Sequence, residues 1–374
     1  MEQEMIQGMA TAAFGLEGLV ASELKRLQIQ TAAPVQGGVP FIGSLEQFYL
    51  ANLRLRFADR VMIVLGEKTV RTFEELFQLV GSIPWERMIP VNGQINVSGK
   101  CVRSQLMSVR DCQAITKKAI IERLRRYLRA EMFPEDGVQF PIQVSIHGDL
   151  CRISLDTTGN ALHRRGYRTW NGEAPLRETL AAALVELSPW RPGMPLYDPC
   201  CGTGTLLIEA ALRMGHRAPG MDRAFACDRY SFFPKDACQA LRASVQQDFQ
   251  PERIHSIAGS DVVEEPLELA RRHVRQAGLE GWIGLQRLPL EKLRLEGPAG
   301  VFLCNPPYGE RLGDQESCRA LYREMGKMLK RHPGWSLCVI SSDAGFERAF
   351  RRRADKRRRL YNGRLECELL TFMP

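Results

Sequence analysis

Asn305, Pro306, Pro307 and Tyr308 follow an apolar run in "VFLCNPPYGE". Proline fixes its own φ and donates nothing to a sheet ladder, so two in succession end a strand on a stiff loop. On such a loop the Asn305 side-chain oxygen and the Pro306 carbonyl are two fixed acceptors, enough to grip both hydrogens of an exocyclic amino group. Tyr308 adds a flat face on which a planar base can stack. An amine held this way points its lone pair at a methyl donor and sheds its proton afterwards, so no strong general base is required. The chemistry is then positioning and electrostatics. Taken alone, the same string is an ordinary turn.

A second constellation lies upstream in "PLYDPCCGTGTLLIEAALRM": an apolar strand, the acid Asp198, the turn Gly202-Thr203-Gly204, and a helix. Such a turn presents backbone N–H groups at a helix N-terminus, and its glycines admit a ligand close to the backbone. It is neither the dinucleotide pattern nor a phosphate loop with its lysine. An acid beside such a turn suits a ligand without pyrophosphate but with a cationic amino-acid end. S-adenosylmethionine, whose sulfonium and α-ammonium are both positive, is such a ligand. Asp261 ends the next predicted strand in "IHSIAGSD". A carboxylate there can accept both hydroxyls of a ribose, or it can simply cap the helix that follows. The long stretch between the two acids implies an insertion near 216–250, around "APGMDRAFACDRYSFFP".

These residues need a scaffold that brings strand ends together. Predicted strands at 194–198, 254–260, 282–288, 300–304 and 335–341 alternate with helices, which argues for an α/β domain with a parallel, doubly wound sheet. Ligands of such sheets bind at the carboxyl ends of the strands. Before it the chain is an α+β mixture. "GLEGLVASELKRL", "TFEELFQLVGSIPW" and "VRDCQAITKKAIIERLRRYLRA" read as helices, while "GQINVSGKCV" and "FPIQVSIHGDLCRISLDTT" read as strands. On the third helix Ile120, Ile121, Leu124, Tyr127 and Leu128 share one face, and Lys117, Lys118 and several arginines cover the rest. That basic surface is either solvated or a phosphate contact. Turn formers and basic side chains at 159–176, "GNALHRRGYRTWNGEAPL", mark the domain boundary; Arg164, Arg165 and Arg168 sit there as expected RNA contacts. The run "RRRADKRRRLYNGR" is a further candidate for phosphate contact.

The bulk numbers set limits. With 374 residues, 44% of them apolar and 25% charged, the chain has the composition of a globular protein of two or three domains. No apolar run reaches the length of a membrane span, and the acidic N-terminus is unlike a signal peptide, so a cytoplasmic protein without membrane contact is expected. The 11 cysteines include no CxxC pair and no zinc spacing, which predicts reduced, buried thiols and no metal. A net charge of +8 suits a polyanionic partner.

Together "LHRRGYR", "APLRETLAAALV", "DPCCGTGTLLIEAA", "NPPYGERLG" and "RADKRRRLYNGRLEC" resemble the bacterial THUMP-domain class I RNA methyltransferases, in particular those that make N2-methylguanine in 23S ribosomal RNA. The resemblance covers essentially the whole chain. It implies a ferredoxin-like segment over 1–44, a THUMP domain that binds structured RNA over 45–156, a linker and first helix over 157–190, and a Rossmann-like methyltransferase domain over 191–374. It assigns S-adenosylmethionine contacts to Asp198, Gly202, Thr203, Gly204 and Asp261, and target-base contacts to Asn305, Pro306 and Tyr308. The expected partner is large-subunit ribosomal RNA or its assembly intermediate. The alternatives are a guanine in tRNA, a glutamine amide in a protein, and a ribosome-assembly factor that binds RNA without turnover. One departure stands out: Pro289 occupies the place where relatives carry an acid for the adenine amino group, leaving Gln286, Glu291 or a backbone carbonyl to substitute.

Overall fold

The computed structural model describes residues 5–168, 176–307 and 314–374. The chain forms two compact units. One comprises the residues up to Ala12, Val20–Leu162 and Ala224–Ala243; the other comprises Ala13–Leu19, His163–Arg223 and Ser244–Pro374.

The first unit is built on one seven-stranded sheet with helices between its strands. In chain order its elements are β1 (Ile6–Ala12), α1 (Glu17–Arg26), β2 (Gln30–Thr31), β3 (Gly38–Gly43), α2 (Leu45–Arg54), β4 (Ala58–Thr69), α3 (Phe73–Ser82), β5 (Gln94–Val102), α4 (Val109–Leu128), β6 (Gln139–His147) and β7 (Leu150–Asp156). The strand order is β2-β3-β1-β4-β7-β6-β5. Helices α2 and α3 start where capping boxes satisfy the first N–H groups, Ser44 with Gln47 and Thr72 with Glu75. Strand β6 buries Phe140, Ile142, Val144 and Ile146 and turns the alternate residues outward. The twelve-residue β4 pairs with β1 on one side and β7 on the other. The expected border at residue 44 therefore falls within a continuous sheet, at the N-cap of α2. One core expectation fails on α4: Tyr127 is 51% exposed and lies beneath the Arg123 guanidinium, 4.4 Å from its ring centre. A cation over its face and a hydroxyl in water hold the ring outside.

The second unit carries the other seven-stranded sheet. Its elements are α5 (Glu178–Leu187), β8 (Leu196–Asp198), α6 (Thr205–Met214), the latter part of α7 (Lys235–Gln247), β9 (Ile257–Asp261), α8 (Glu264–Gln276), β10 (Gly284–Arg287), β11 (Val301–Cys304), α9 (Asp314–Arg331), β12 (Ser336–Ser341), α10 (Phe346–Phe350), β13 (Lys356–Asn362) and β14 (Leu365–Phe372). The order β10-β9-β8-β11-β12-β14-β13 is parallel from β10 to β12 and closes on an antiparallel hairpin. All five predicted strands are present, each starting one to three residues later than expected. Phe302, Tyr322, Trp335, Leu337, Phe346 and Phe372 form the core beneath α9 and α10. The basic run that was a candidate phosphate contact is largely the edge strand β13, where Arg357 pairs with Glu347 and Glu368, and Arg359 with Glu366. Charged side chains on an edge strand block pairing with another chain. Among the described residues no helix is long and apolar enough to cross a membrane.

The insertion expected near 216–250 is present, and its segment 224–243 belongs to the first unit. Tyr230 stacks on Phe140 at 4.9 Å and 9° and donates its hydroxyl to the Asp156 carbonyl at 2.7 Å. Phe225 meets Tyr49 edge-on at 5.7 Å. Behind this contact, buried Asn52 donates to Thr157 Oγ1 at 2.8 Å and accepts from Thr158 Oγ1 at 2.6 Å, tying α2 to the end of β7. Replacing Asn52 by Leu takes the acceptor from the buried Thr158 hydroxyl proton and leaves Thr157 with its bond to the Val61 carbonyl, and urea unfolding of the full chain is expected to show a loss of about 1–3 kcal/mol. A loss below a few tenths would mean that the Thr158 hydroxyl finds another partner.

Candidate active site

The parallel register sets the site. Tyr197 of β8 lies opposite Phe302 of β11, and Asp198 lies opposite Gly259 of β9. Asp198, Asp261 and Asn305 therefore end or follow three adjacent strands at one edge of the sheet, their carboxyl edge. The order of connection reverses between β8 and β11, which is where open α/β sheets form their ligand crevice.

The loop after β8 is fixed at every step. Cys200 N–H donates to Asp198 Oδ1 at 3.0 Å, and Cys201 N–H to the Ser260 carbonyl at 2.9 Å. Gly202 N–H donates to Asp261 Oδ2 at 2.9 Å, while Val263 N–H takes Asp261 Oδ1 at 3.0 Å. Asp261 thus clamps the glycine loop and closes a turn onto Val263; Val263 is the N-cap of α8 and carries no side-chain cap bond, so Asp261 does not cap that helix. Gly202 and Gly204 have φ of +49° and +79°. A Cβ at Gly204 would stand 3.2 Å from that of Ala270, so this position needs glycine for both its angle and its space. Two more side chains complete the brace: His273, which the sequence reading did not include, and Arg168, which it placed on RNA. The ring Nδ1 of buried His273 lies 3.2 Å from the Thr203 carbonyl and, as the N–H tautomer, donates to it. The Arg168 guanidinium donates to Thr205 Oγ1 at the first turn of α6. Only the i, i+3 spacing of Ala270 and His273, facing the loop from α8, hinted at the first of these.

Asp198 is 1% exposed. Burial pushes its carboxyl well above the usual carboxylate range; the Cys200 N–H opposes the shift and the charge of Asp261 adds to it. A buried acid with a raised pKa costs stability when ionised at neutral pH, unless a cation lies beside it. The acid and the left-handed glycines therefore fit a ligand whose positive amino group meets Asp198. Across the edge, β11 is fully buried, Asn305 is half-buried, and Pro306 is buried. The Tyr322 hydroxyl of α9 donates to the Pro307 carbonyl at 2.9 Å, pinning the diproline loop from below. Tyr308 lies outside the described residues. Pro289 caps a short 3-10 turn; the Gln286 amide donates to the Tyr197 hydroxyl at 3.0 Å and Glu291 is exposed.

The linker arginines require a correction. Arg165 is buried against Glu209, at 3.4 Å, and the Tyr167 hydroxyl donates to the same carboxylate at 3.0 Å. Arg168 is 7% exposed and faces Glu178 at 3.7 Å. Both arginines are internal counter-charges that brace α5 and α6, not phosphate contacts; a buried carboxylate needs a paired cation. Arg164 is exposed, as is Lys118, whereas Lys117 pairs with Glu135 at 2.8 Å.

The comparisons with known proteins agree with this geometry. A family model described as "RMKL-like, methyltransferase domain" matches residues 165–371, one for the RlmL ferredoxin-like domain matches 7–62, and one for the THUMP domain matches 70–156. The chain belongs to this family of RlmKL-like RNA methyltransferases, with a Rossmann-like catalytic domain behind ferredoxin-like and THUMP domains. It is 37% identical over 97% of its length to the candidate RNA methyltransferase YpsC of Bacillus subtilis, covering 95% of that protein. It is 34% identical over 98% of its length to the ribosomal RNA large subunit methyltransferase K/L of Syntrophotalea carbinolica, and spans only 53% of that longer protein. The crystal structure of SMU.472, a candidate methyltransferase complexed with SAH, superposes over 100% of this chain and 99% of its own with a TM-score of 0.93 at 39% identity.

Two outcomes follow from the buried acids. Glu209→Ala removes the buried carboxylate that faces Arg165 and accepts from Tyr167 and is expected to cost about 3–5 kcal/mol in denaturant unfolding; an unchanged midpoint would show that the pair contributes nothing. Asp198 must ionise to hold an ammonium group, and its unliganded pKa is raised. Affinity for S-adenosylhomocysteine should therefore rise as pH climbs from the ordinary carboxylate value near 4 through the raised one, with proton release on binding. Calorimetry in buffers of different ionisation enthalpy reads this, and Asp198→Asn should weaken binding and flatten its pH dependence.

Proposed function

We propose that this chain transfers a methyl group from S-adenosylmethionine to the exocyclic N2 amine of a guanine in large-subunit ribosomal RNA. The observation that carries the reading is the placement of Asn305 and Pro306 on a pinned, proline-stiffened loop beside the strand that ends in Asp198. The K/L relative, named for ribosomal RNA of the large subunit, supports the substrate class. S-adenosylmethionine, when bound, supplies an electrophilic methyl on a sulfonium.

The chain's own residues do the rest. Asp198 meets the ammonium group of the donor, and the Gly202–Gly204 turn, bare of side chains at both glycines, offers room for close approach. Asp261 serves the loop through two backbone N–H bonds and keeps further lone pairs on both oxygens for hydroxyl donors. The Asn305 oxygen and the Pro306 carbonyl each accept one hydrogen of the target amine. That grip fixes its orientation and lets positive charge grow on nitrogen as the bond to carbon forms. The proton then passes to water or to one of these acceptors in transit, so no tuned base is required. Tyr308 stacks on the base in this reading.

Tritium transfer from labelled S-adenosylmethionine into ribosomal RNA of a strain lacking the gene, followed by digestion to nucleosides, tests the proposal. Label in N2-methylguanosine of the large RNA is the expected result. Label in another nucleoside overturns the N2 assignment, and label only in tRNA overturns the ribosomal one. Asn305→Ala is expected to lower kcat by about 100-fold or more, with S-adenosylhomocysteine affinity retained. A variant of undiminished rate would remove Asn305 from the chemistry.

A further inference from the structure

A cavity of about 640 Å³ lies wholly within the first unit, in the unit that does not contain Asn305. Its floor is the outward face of β5 and β6, which run parallel with Ser98 opposite Gln143 and Gln94 opposite Gln139. Alternation sends Ile95, Phe140 and Ile142 to the buried core and leaves Asn96, Gln139 and Gln143 on the cavity side. One wall is Arg60 of β4, fixed by Asp156 and the Gly159 carbonyl with 36% of its side chain still exposed. The opposite wall comes from the inserted segment and ends in exposed Arg229.

Three features set its chemistry. Among the described residues the side-chain amides of Asn96, Gln139 and Gln143 have no hydrogen-bond partner, so each offers a donor pair and an acceptor. Arg229 has no ion-pair partner among them either. The lining carboxylate, Asp156, is matched by Arg60, so the net charge is positive. Amides that read donor and acceptor edges, with guanidinium groups at the rim for an anion, are complementary to a base and its phosphate. The volume falls in the range that encloses a small ligand.

We propose that this cavity binds one unstacked nucleotide of a single-stranded stretch of the substrate RNA, away from the nucleotide that is methylated. The inference rests on the RNA-methyltransferase reading for the source of the nucleotide, and not for the existence of the site. The inserted segment then has a function: it supplies Arg229 and one wall of a nucleotide site to a sheet that would otherwise be open on that side.

Fluorescence anisotropy of the full chain with a short fluorescein-labelled single-stranded RNA tests it. Arg229→Glu and the double variant Asn96→Ala/Gln143→Ala are each expected to weaken binding about tenfold or more, with S-adenosylhomocysteine affinity and the urea midpoint unchanged. Wild-type RNA affinity in both variants overturns the site. Binding of adenosine or guanosine monophosphate by calorimetry, lost in the cavity variants and tighter than that of the RNA, would identify a free nucleotide as the occupant and overturn the RNA assignment. Loss of binding in the cavity variants beside a wild type that methylates no RNA would sustain the cavity and overturn the function proposed above, so the two failures are distinct.

Discussion

A carboxyl group at 1% exposure on the tip of a three-residue strand is an expensive thing to fold around, and among the described residues Asp198 is answered there by one backbone N–H. Burial raises its pKa, which means that the unliganded domain carries an electrostatic cost that a cation would relieve. Such a residue keeps its position only if its surroundings over-determine it. They do. Ser260 and Asp261 hold the loop from β9, His273 holds it from α8, and Arg168 holds the first turn of α6. The backbone N–H groups that could have collapsed onto the acid are committed elsewhere, and the site stays shaped for a ligand.

The same loop explains the buried charges of the linker. Arg168 reaches Thr205 with one part of its guanidinium and faces Glu178 with another, while Arg165 and Tyr167 share Glu209 on α6. Burial raises Glu178 as well, against the pull of Arg168, so these acids are stabilised by their partners and not by solvent. Buried pairs of this kind add little stability compared with apolar packing, yet breaking one is costly. Their value here is register: they set helix α6, and with it the glycine turn at its start.

What could be read from the sequence follows from which signals are local. Asp198, the glycine turn, Asp261 and the Asn-Pro-Pro string carry their meaning in neighbouring residues, and alternation of strand and helix places them on one sheet edge. The five parallel strands were legible for the same reason. Arg165 and Arg168 were not, because a basic residue in a turn-rich stretch looks the same whether its partner is a phosphate or a glutamate 44 residues away. His273 escaped notice because nothing local separates a histidine that bonds a distant carbonyl from one that merely fills a helix face. The hairpin β13–β14 was hidden by its charges, which describe an edge strand only once the acidic partners Glu347, Glu366 and Glu368 are in place. The insertion was legible as extra length, but its membership in the first unit depends on Tyr230 meeting Phe140, a long-range contact that no spacing announces.

The thiols near the site narrow the chemistry further. Cys304 immediately precedes Asn305 and is fully buried; burial, with the neighbouring Cys200 and Asp198, pushes its thiol well above the ordinary cysteine value. Cys201, in the glycine loop, is pushed up for the same reasons. A methyl transfer to a ring carbon of a pyrimidine would call for a thiolate to attack the base, and a thiolate requires a lowered pKa and an exposed sulfur. Neither of these thiols meets either condition. An exocyclic amine needs no such nucleophile, since it brings its own lone pair. What it needs is two acceptors that do not move, and the proposed function assigns that part to a half-buried asparagine followed by two prolines, which Tyr322 holds with little freedom left to lose.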